Sequence, residues 1–208
     1  MSDAPAKRRG RPKSKPEDAG ARQALIRAGL EHLTEKGYSA VGVDEILRSA
    51  EVPKGSFYHY FKSKADFGSQ LVEAYHTFFV GMLERSLSNA DLPPLERLRA
   101  FTLEAEAGMA RHGFRKGCLV GNLGQEMGAL PEPFRDQLVA VLTDWQERTR
   151  RCLAGAQSEG AHAGSHDPVQ LSAFFWIGWE GAVLRAKLER SPEPLRAFSD
   201  QFFRFVTS

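Results

Sequence analysis

Cys118 stands in Arg115-Lys116-Gly117-Cys118, with Gly121 three residues on. Two cations beside a thiol favour the thiolate, which is the form that attacks electrophiles, and so does a position near the start of a short helix. The flanking glycines would open access to the sulfur. On these residues alone two readings stay open: a reactive thiol, or a buried and inert one. Cys152, in Arg150-Arg151-Cys152-Leu153, sits mid-helix and reads as a structural thiol. The six histidines form no metal pattern, with His162 and His166 in a Gly/Ser loop. No metal site and no cofactor is expected.

A second chemistry lies in the first 16 residues. Lys7, Arg8, Arg9, Arg11, Lys13 and Lys15 face one acid, Asp3, so the arm is +5 while the net charge is +2. The rest of the chain therefore sums to −3. Such an arm seeks phosphate locally rather than coating a polyanion. Within it, Arg9-Gly10-Arg11-Pro12 resembles the core of an AT-hook. Glycine permits close approach, proline keeps the strand extended, and Arg9 and Arg11 can follow a narrow minor groove. The plain alternative is a solubilising tail. A third cluster runs from 54 to 64, where Lys54, Lys62 and Lys64 meet no acid.

The elements that must position these groups are helices. Apolar spacing with polar opposite faces predicts a first helix over 17–36, carrying Leu25, Ile26, Leu30 and Leu33 and ended by Gly37. Short helices follow over 43–50 and 54–61, separated by a turn at Glu51-Val52-Pro53. Ser63 caps a long helix over 64–88, with Asp66 in its first turn. Further helices are predicted over 95–111, 122–127, 131–158, from Asp167-Pro168 to 189, and from Ser191-Pro192 to 206. No alternation builds a sheet, so the fold class is all-α. The expected domains are a basic flexible arm (1–16), a helix-turn-helix DNA-binding domain (17–67), and an effector-binding and dimerisation domain (68–208). Hydrophobic residues at 42% and charged residues at 26% are ordinary for a soluble globular chain. No apolar run approaches a membrane span, no signal peptide is legible, and two cysteines form no disulfide framework. A cytoplasmic protein is expected.

Two short helices joined by a tight turn, behind a stabilising first helix, are a helix-turn-helix arrangement. Ala50 supplies the small residue, Val52 the apolar turn, and Phe57 and Phe61 the inner face. Lys54, Ser56, Tyr58, His59 and Tyr60 then fall on the outer face, where they can donate to phosphates or touch base edges. Lys64 reads as a phosphate anchor. The run Val52-Pro53-Lys54-Gly55-Ser56-Phe57-Tyr58-His59-Tyr60-Phe61-Lys62-Ser63-Lys64 resembles the third-helix signature of the TetR family of bacterial transcriptional repressors, and Gly37-Tyr38 and Ile46 fit it. The resemblance implies a homodimer, a palindromic double-stranded operator, and a small effector that releases the DNA. One departure is that Val41 and Gly42 stand where the family usually has a capping Ser or Thr.

Gly117-Cys118-Leu119, the segment Val52 to Phe61, and Trp176-Ile177-Gly178 with Leu184-Arg185-Ala186-Lys187 are together similar to a subset of that family responding to electrophiles and small unsaturated acids, with 117–130 and 175–187 matching its acrylate branch more closely. One branch responds to N-ethylmaleimide, reactive aldehydes and chlorine species, and another to acrylate, which the match favours. The resemblance implies sensor or effector roles for Cys118 and for a lysine like Lys187, with Asn122, Glu126, Trp145 and Trp179 as further candidates. Lys187 shares a helical face with Glu180, Val183 and Leu184, so an inward ammonium could lower the thiol's pKa or hold a carboxylate. A surface lysine is the other reading. Tyr75, Phe78, Phe101, Met109, Phe114 and Trp176 are apolar candidates, either for a pocket or for core. Stripes at Ala173, Phe174, Ile177, Gly181, Leu184, Leu188 and at Phe198, Phe202, Phe205 suit a four-helix dimer interface. The rival functions are a hydrolase using Cys118 with His112, and a non-specific architectural DNA-binding protein using the basic arm.

Overall fold

The computed structural model describes residues 16–159 and 166–208, with side chains from Ala19 onward. Arg9, Arg11 and His162 lie outside the described residues. Among the described residues every regular element is helical: α1 (Pro16–Lys36), α2 (Val43–Ser49), a 3-10 turn (Lys54–Ser56) leading into α3 (Phe57–Tyr60), α4 (Lys64–Leu87), α5 (Pro94–Ala110), α6 (Leu119–Gln125), α7 (Pro133–Ser158), α8 (Pro168–Glu189) and α9 (Glu193–Thr207). No helix among them is long and apolar enough to cross a membrane.

Helix starts follow local chemistry. The Ser63 hydroxyl accepts from the Asp66 N–H at 3.0 Å, and Asp66 in turn accepts from the Lys62 N–H at 2.7 Å. Asp167 accepts from the Val169 N–H at 2.9 Å. These bonds satisfy donors that a helix's first turn leaves open. Three expected boundaries shift. The third helix opens as a 3-10 turn over Lys54–Ser56. Helix α6 begins at Leu119 rather than 122, because Cys118 itself is the cap residue and its Sγ accepts from the Gly121 N–H at 3.5 Å. Helix α7 begins at Pro133, since Pro131 is spent in the preceding turn, where its carbonyl accepts from the Phe134 N–H.

The N-terminal head is pinned by three buried rings. Phe57, Phe61 and Phe67 have centroids 4.7–5.2 Å apart, so α3 and the start of α4 share one aromatic core with Leu25 and Ile46. Helix α1 crosses α4 closely at Gly29, where any Cβ would collide with Phe67 and Leu71. The remaining helices form a bundle in which α7 packs on α8, α8 on α9, and α4 on both α5 and α7. Its centre is aromatic: the Trp145 ring packs, tilted, against Phe79 with centroids 4.1 Å apart and against Trp176 at 5.1 Å, and all three are buried. Helix α4 runs unbroken across residues 67 and 68, so head and bundle share one rigid rod.

Candidate functional site

The outer face of the head carries the residues that the sequence placed there. Tyr58 is 70% exposed, His59 is exposed, and Ser56 and Tyr60 are half-buried, with the His59 and Tyr60 rings 5.0 Å apart. Lys54 is exposed and pairs with Asp44 at 2.9 Å. A pair that open to solvent is worth at most about 1 kcal/mol, which leaves the ammonium available to a phosphate. Helix α2 starts at Gly42 with no side-chain cap, as the departure at Val41 and Gly42 implies, and Val41 is buried. Lys64 turns inward. Its Nζ donates to the Tyr38 carbonyl at 2.8 Å and lies 4.3 Å from the Tyr38 ring centroid, and burial draws its pKa down.

Between α4, α5, α8 and the loop before α6 lies a cavity of about 220 Å³. An apolar cavity of roughly 150 Å³ accepts benzene, so this volume suits a molecule of few heavy atoms. Of the expected pocket residues, Tyr75, Phe78, Met109, Cys118 and Trp179 line it. Phe101, Trp145 and Trp176 do not; they form the packed core behind it. Arg111, His112 and Lys116 add positive or polar groups to the same cavity, and Glu180 adds a carboxyl group.

Of the two readings left open for Cys118, its environment favours the buried thiol over a cation-activated thiolate. Arg115 is paired with Glu35 at 3.0 Å and Lys116 with Glu31 at 2.9 Å, so both neighbouring cations are tied to α1. Cys118 is 6% exposed, and burial raises its pKa well above the ordinary thiol range. The Glu180 carboxylate beside it pushes the same way, opposed by the Gly121 N–H. Glu180 was missed as a site residue, although it lies on the helical face with Lys187. Burial raises its carboxyl pKa to about 7. Tyr75 completes the cluster, its hydroxyl against Cys118 and the Leu119 N–H, with its own pKa raised well above the ordinary value by the same burial. Cys152 is separate: its thiol donates to the Pro94 carbonyl at 3.1 Å, and burial raises it to about 11.

Glu180 gives the stability a pH dependence whose sign is fixed. Below its unfolded value of 4.5 the group is protonated in both states. Between 4.5 and about 7 the unfolded chain ionises it while the fold retains the proton, so stability falls as pH rises through that window. The full shift corresponds to at most roughly 3 kcal/mol, less whatever solvent in the cavity screens. Melting curves should show wild type losing stability over this window relative to Glu180→Gln, in which the loss is absent. Parallel pH curves for the two proteins would refute this account of the site.

Asn122, Glu126 and Lys187 do not line the cavity; they grip the end of α1. A helix leaves its last carbonyls without partners. Here Asn122 Nδ2 donates to Leu33 O at 3.1 Å and Thr34 O at 2.9 Å, the Gly117 N–H donates to Thr34 O at 3.0 Å, and Lys187 Nζ donates to Thr34 O at 3.2 Å. Lys187 therefore points inward, but to α1 and to Asn122 Oδ1 at 3.5 Å. It still borders a small recess shared with Cys118 and Glu180, and burial lowers its pKa. Glu126 reaches the next segment, accepting from the Tyr38 N–H at 2.8 Å and the Ser39 N–H at 2.7 Å. The thiol that caps α6 is thus one short helix away from the junction that holds the head. That coupling was invisible in the sequence, because its partners stand roughly 90 residues apart.

Residues 25–70 match the family model described as "Bacterial regulatory proteins, tetR family", and residues 94–202 match "Tetracyclin repressor-like, C-terminal domain". The chain is 62% identical over 201 residues to Transcriptional regulator AcuR of Cereibacter sphaeroides, covering 96% of this chain and 92% of that one. It is 35% identical over 188 residues to HTH-type transcriptional repressor DhaR of Mycobacterium sp. strain GP1, covering 89% of each. The crystal structure of regulatory protein TetR from Rhodobacter sphaeroides shares its fold with a TM-score of 0.87 at 63% identity, over 88% of this chain and 97% of that one.

Proposed function

The chain belongs to the TetR family of bacterial transcriptional regulators, and from that premise we propose that it represses by binding a palindromic operator as a homodimer and is released by a small electrophile or unsaturated acid, such as acrylate, captured at Cys118. The observation that carries this reading is the place of the thiol. Cys118 lines the small cavity and is also the cap residue of α6, whose Asn122 and Glu126 hold α1 and the loop after it. A group attached to the sulfur displaces the start of α6. The displacement passes through Thr34, Tyr38 and Ser39 to the helices that carry Tyr58 and His59.

The rim chemistry supports the ligand class. Arg111 and His112 can receive a carboxylate or carbonyl, and Tyr75, Trp179 and Val183 offer an apolar floor for an alkene. On the DNA side Lys54, Ser56, Tyr58, His59 and Tyr60 meet the major groove, Lys64 steadies the loop at Tyr38, and Arg9 and Arg11 follow the minor groove.

The experiment is operator release followed by fluorescence anisotropy on a dyad-bearing duplex from the chain's own promoter region. Wild type should release with N-ethylmaleimide and with acrylate. Cys118→Ser should bind the operator as wild type does and require about 100-fold more electrophile, since a serine hydroxyl without a base is a far weaker nucleophile. Equal release of both proteins by both compounds would remove Cys118 from the mechanism.

A further inference from the structure

The cations that the sequence offered as activators of Cys118 are committed elsewhere, so its reactivity needs another source. Glu180 stands in that position. Both side chains line the same cavity. The Glu180 carboxylate lies against the bare Cα of Gly121, where a Cβ would strike Oε2, and the Gly121 N–H is the one that reaches Cys118 Sγ at 3.5 Å. Gly121 thus lets a carboxylate and a thiol meet over a single residue. We propose that Glu180 is the base that removes the Cys118 proton as the sulfur adds to an electron-poor alkene. This rests on the reading of Cys118 as the capture site.

The step balances without a co-reactant. The S–H bond breaks as Glu180 takes the proton, a carbon–sulfur bond forms at the alkene's β-carbon, and the π pair moves toward the carbonyl. Glu180 then returns the proton to the α-carbon, leaving a saturated thioether and a carboxylate ready for the reverse path. Arg111 and His112, which line the same cavity, are placed to hold the carbonyl oxygen as charge moves onto it. The titratable groups that share the surroundings of Glu180 are Cys118 from the loop before α6, Tyr75 from α4, and Lys187, one recess away on its own helix. A carboxyl group that titrates at about 7 is matched to this work, because a general base performs best when its pKa lies near the operating pH.

The test uses the full chain and acrylamide, an uncharged alkene, with the rate of adduct formation at Cys118 read by intact-protein mass spectrometry across the pH range bracketing 7. In wild type the rate should climb through about pH 7 and then level off. Glu180→Gln should react about 100-fold more slowly near neutrality and gain rate only where the thiol ionises by itself. Glu180→Asp, with its carboxylate withdrawn by one methylene, should keep a neutral step at reduced rate. Tyr75→Phe should keep the step, since the base remains. A Glu180→Gln protein that reacts with the wild-type rate and profile while binding operator normally would overturn the role of Glu180 and leave the capture reading intact. A wild-type chain that acquires no adduct at Cys118 would overturn the capture reading itself.

Discussion

Replacing Gly37 with Ala is expected to destabilise the chain by roughly 3–5 kcal/mol and to weaken operator binding with it. Gly37 has φ +86°, a conformation that disfavours a side chain by about 1–2 kcal/mol. A Cβ there would also strike Glu126 Oε1. The carboxylate is a flexible end and can swing away, so the collision is cheap in itself. Swinging away, however, abandons the Tyr38 and Ser39 N–H groups at 2.8 and 2.7 Å, and hydrogen bonds to a charged acceptor contribute roughly 1.5–3 kcal/mol. Glu126→Ala isolates that second part, because it keeps the glycine and removes the acceptor. Urea unfolding should order the stabilities as wild type, then Glu126→Ala, then Gly37→Ala. If Gly37→Ala melts with wild type, the carboxylate is not holding the loop.

The same junction links the small cavity to the helix-turn-helix head. At the end of α1 the Thr34 carbonyl takes its partners from α6, the loop before it and α8 through Asn122, Gly117 and Lys187. Cationic and N–H groups at a helix C-terminus are electrostatically favourable as well. The next loop takes its acceptor from Glu126 and passes its own Tyr38 carbonyl to Lys64 on α4. Each link is a direct polar contact, so on the proposed mechanism a displacement at Cys118 has a continuous route to the head. Arg115–Glu35 and Lys116–Glu31 also tie the loop before α6 to α1.

What was legible in the sequence is what depends on near neighbours. Ser63, Asp66 and Asp167 announced helix starts because a cap acts within three residues. Phe57 and Phe61 announced the inner face of α3 because helical spacing fixes which side faces in. Tyr58 and His59 followed onto the outer face. The charge state of Cys118 was not legible, for a different physical reason. The residues beside it in sequence, Arg115 and Lys116, point to α1 partners 80 and 85 residues away, while Glu180, far along the chain, faces the sulfur. Sequence proximity gave the wrong sign of the local field. Lys64 and Lys187 carry the same lesson: both were read for their charge, and both use their ammonium groups to hold backbone carbonyls. Trp145 was read as a ligand contact, but its indole N–H donates to His76 Nδ1 at 3.1 Å within the core.

The second large effect is expected at Ile177. On α8 it is 73% exposed, and Phe174, Leu188 and Phe205 are 50%, 74% and 45% exposed around it. Gly181, one turn on, is exposed, and a Cβ there would meet nothing within 4 Å. Phe202, by contrast, is buried within the bundle, so the expected α9 stripe divides between core and surface. A face this apolar is characteristic of an interface rather than of solvent. If two copies meet there about a two-fold axis, Ile177→Glu places a carboxylate from each copy in the desolvated contact. The isolated fold should barely notice, because a surface substitution of this kind stays within about 0.5 kcal/mol. Operator affinity should fall by about 10²–10⁴-fold, since the second half-site contact ceases to be intramolecular. Analytical ultracentrifugation and anisotropy on the same preparations read both effects. Ile177→Glu that sediments as a dimer with undiminished affinity would move the interface off this face. A wild-type protein that is monomeric yet binds a dyad tightly would remove the requirement for a pair altogether.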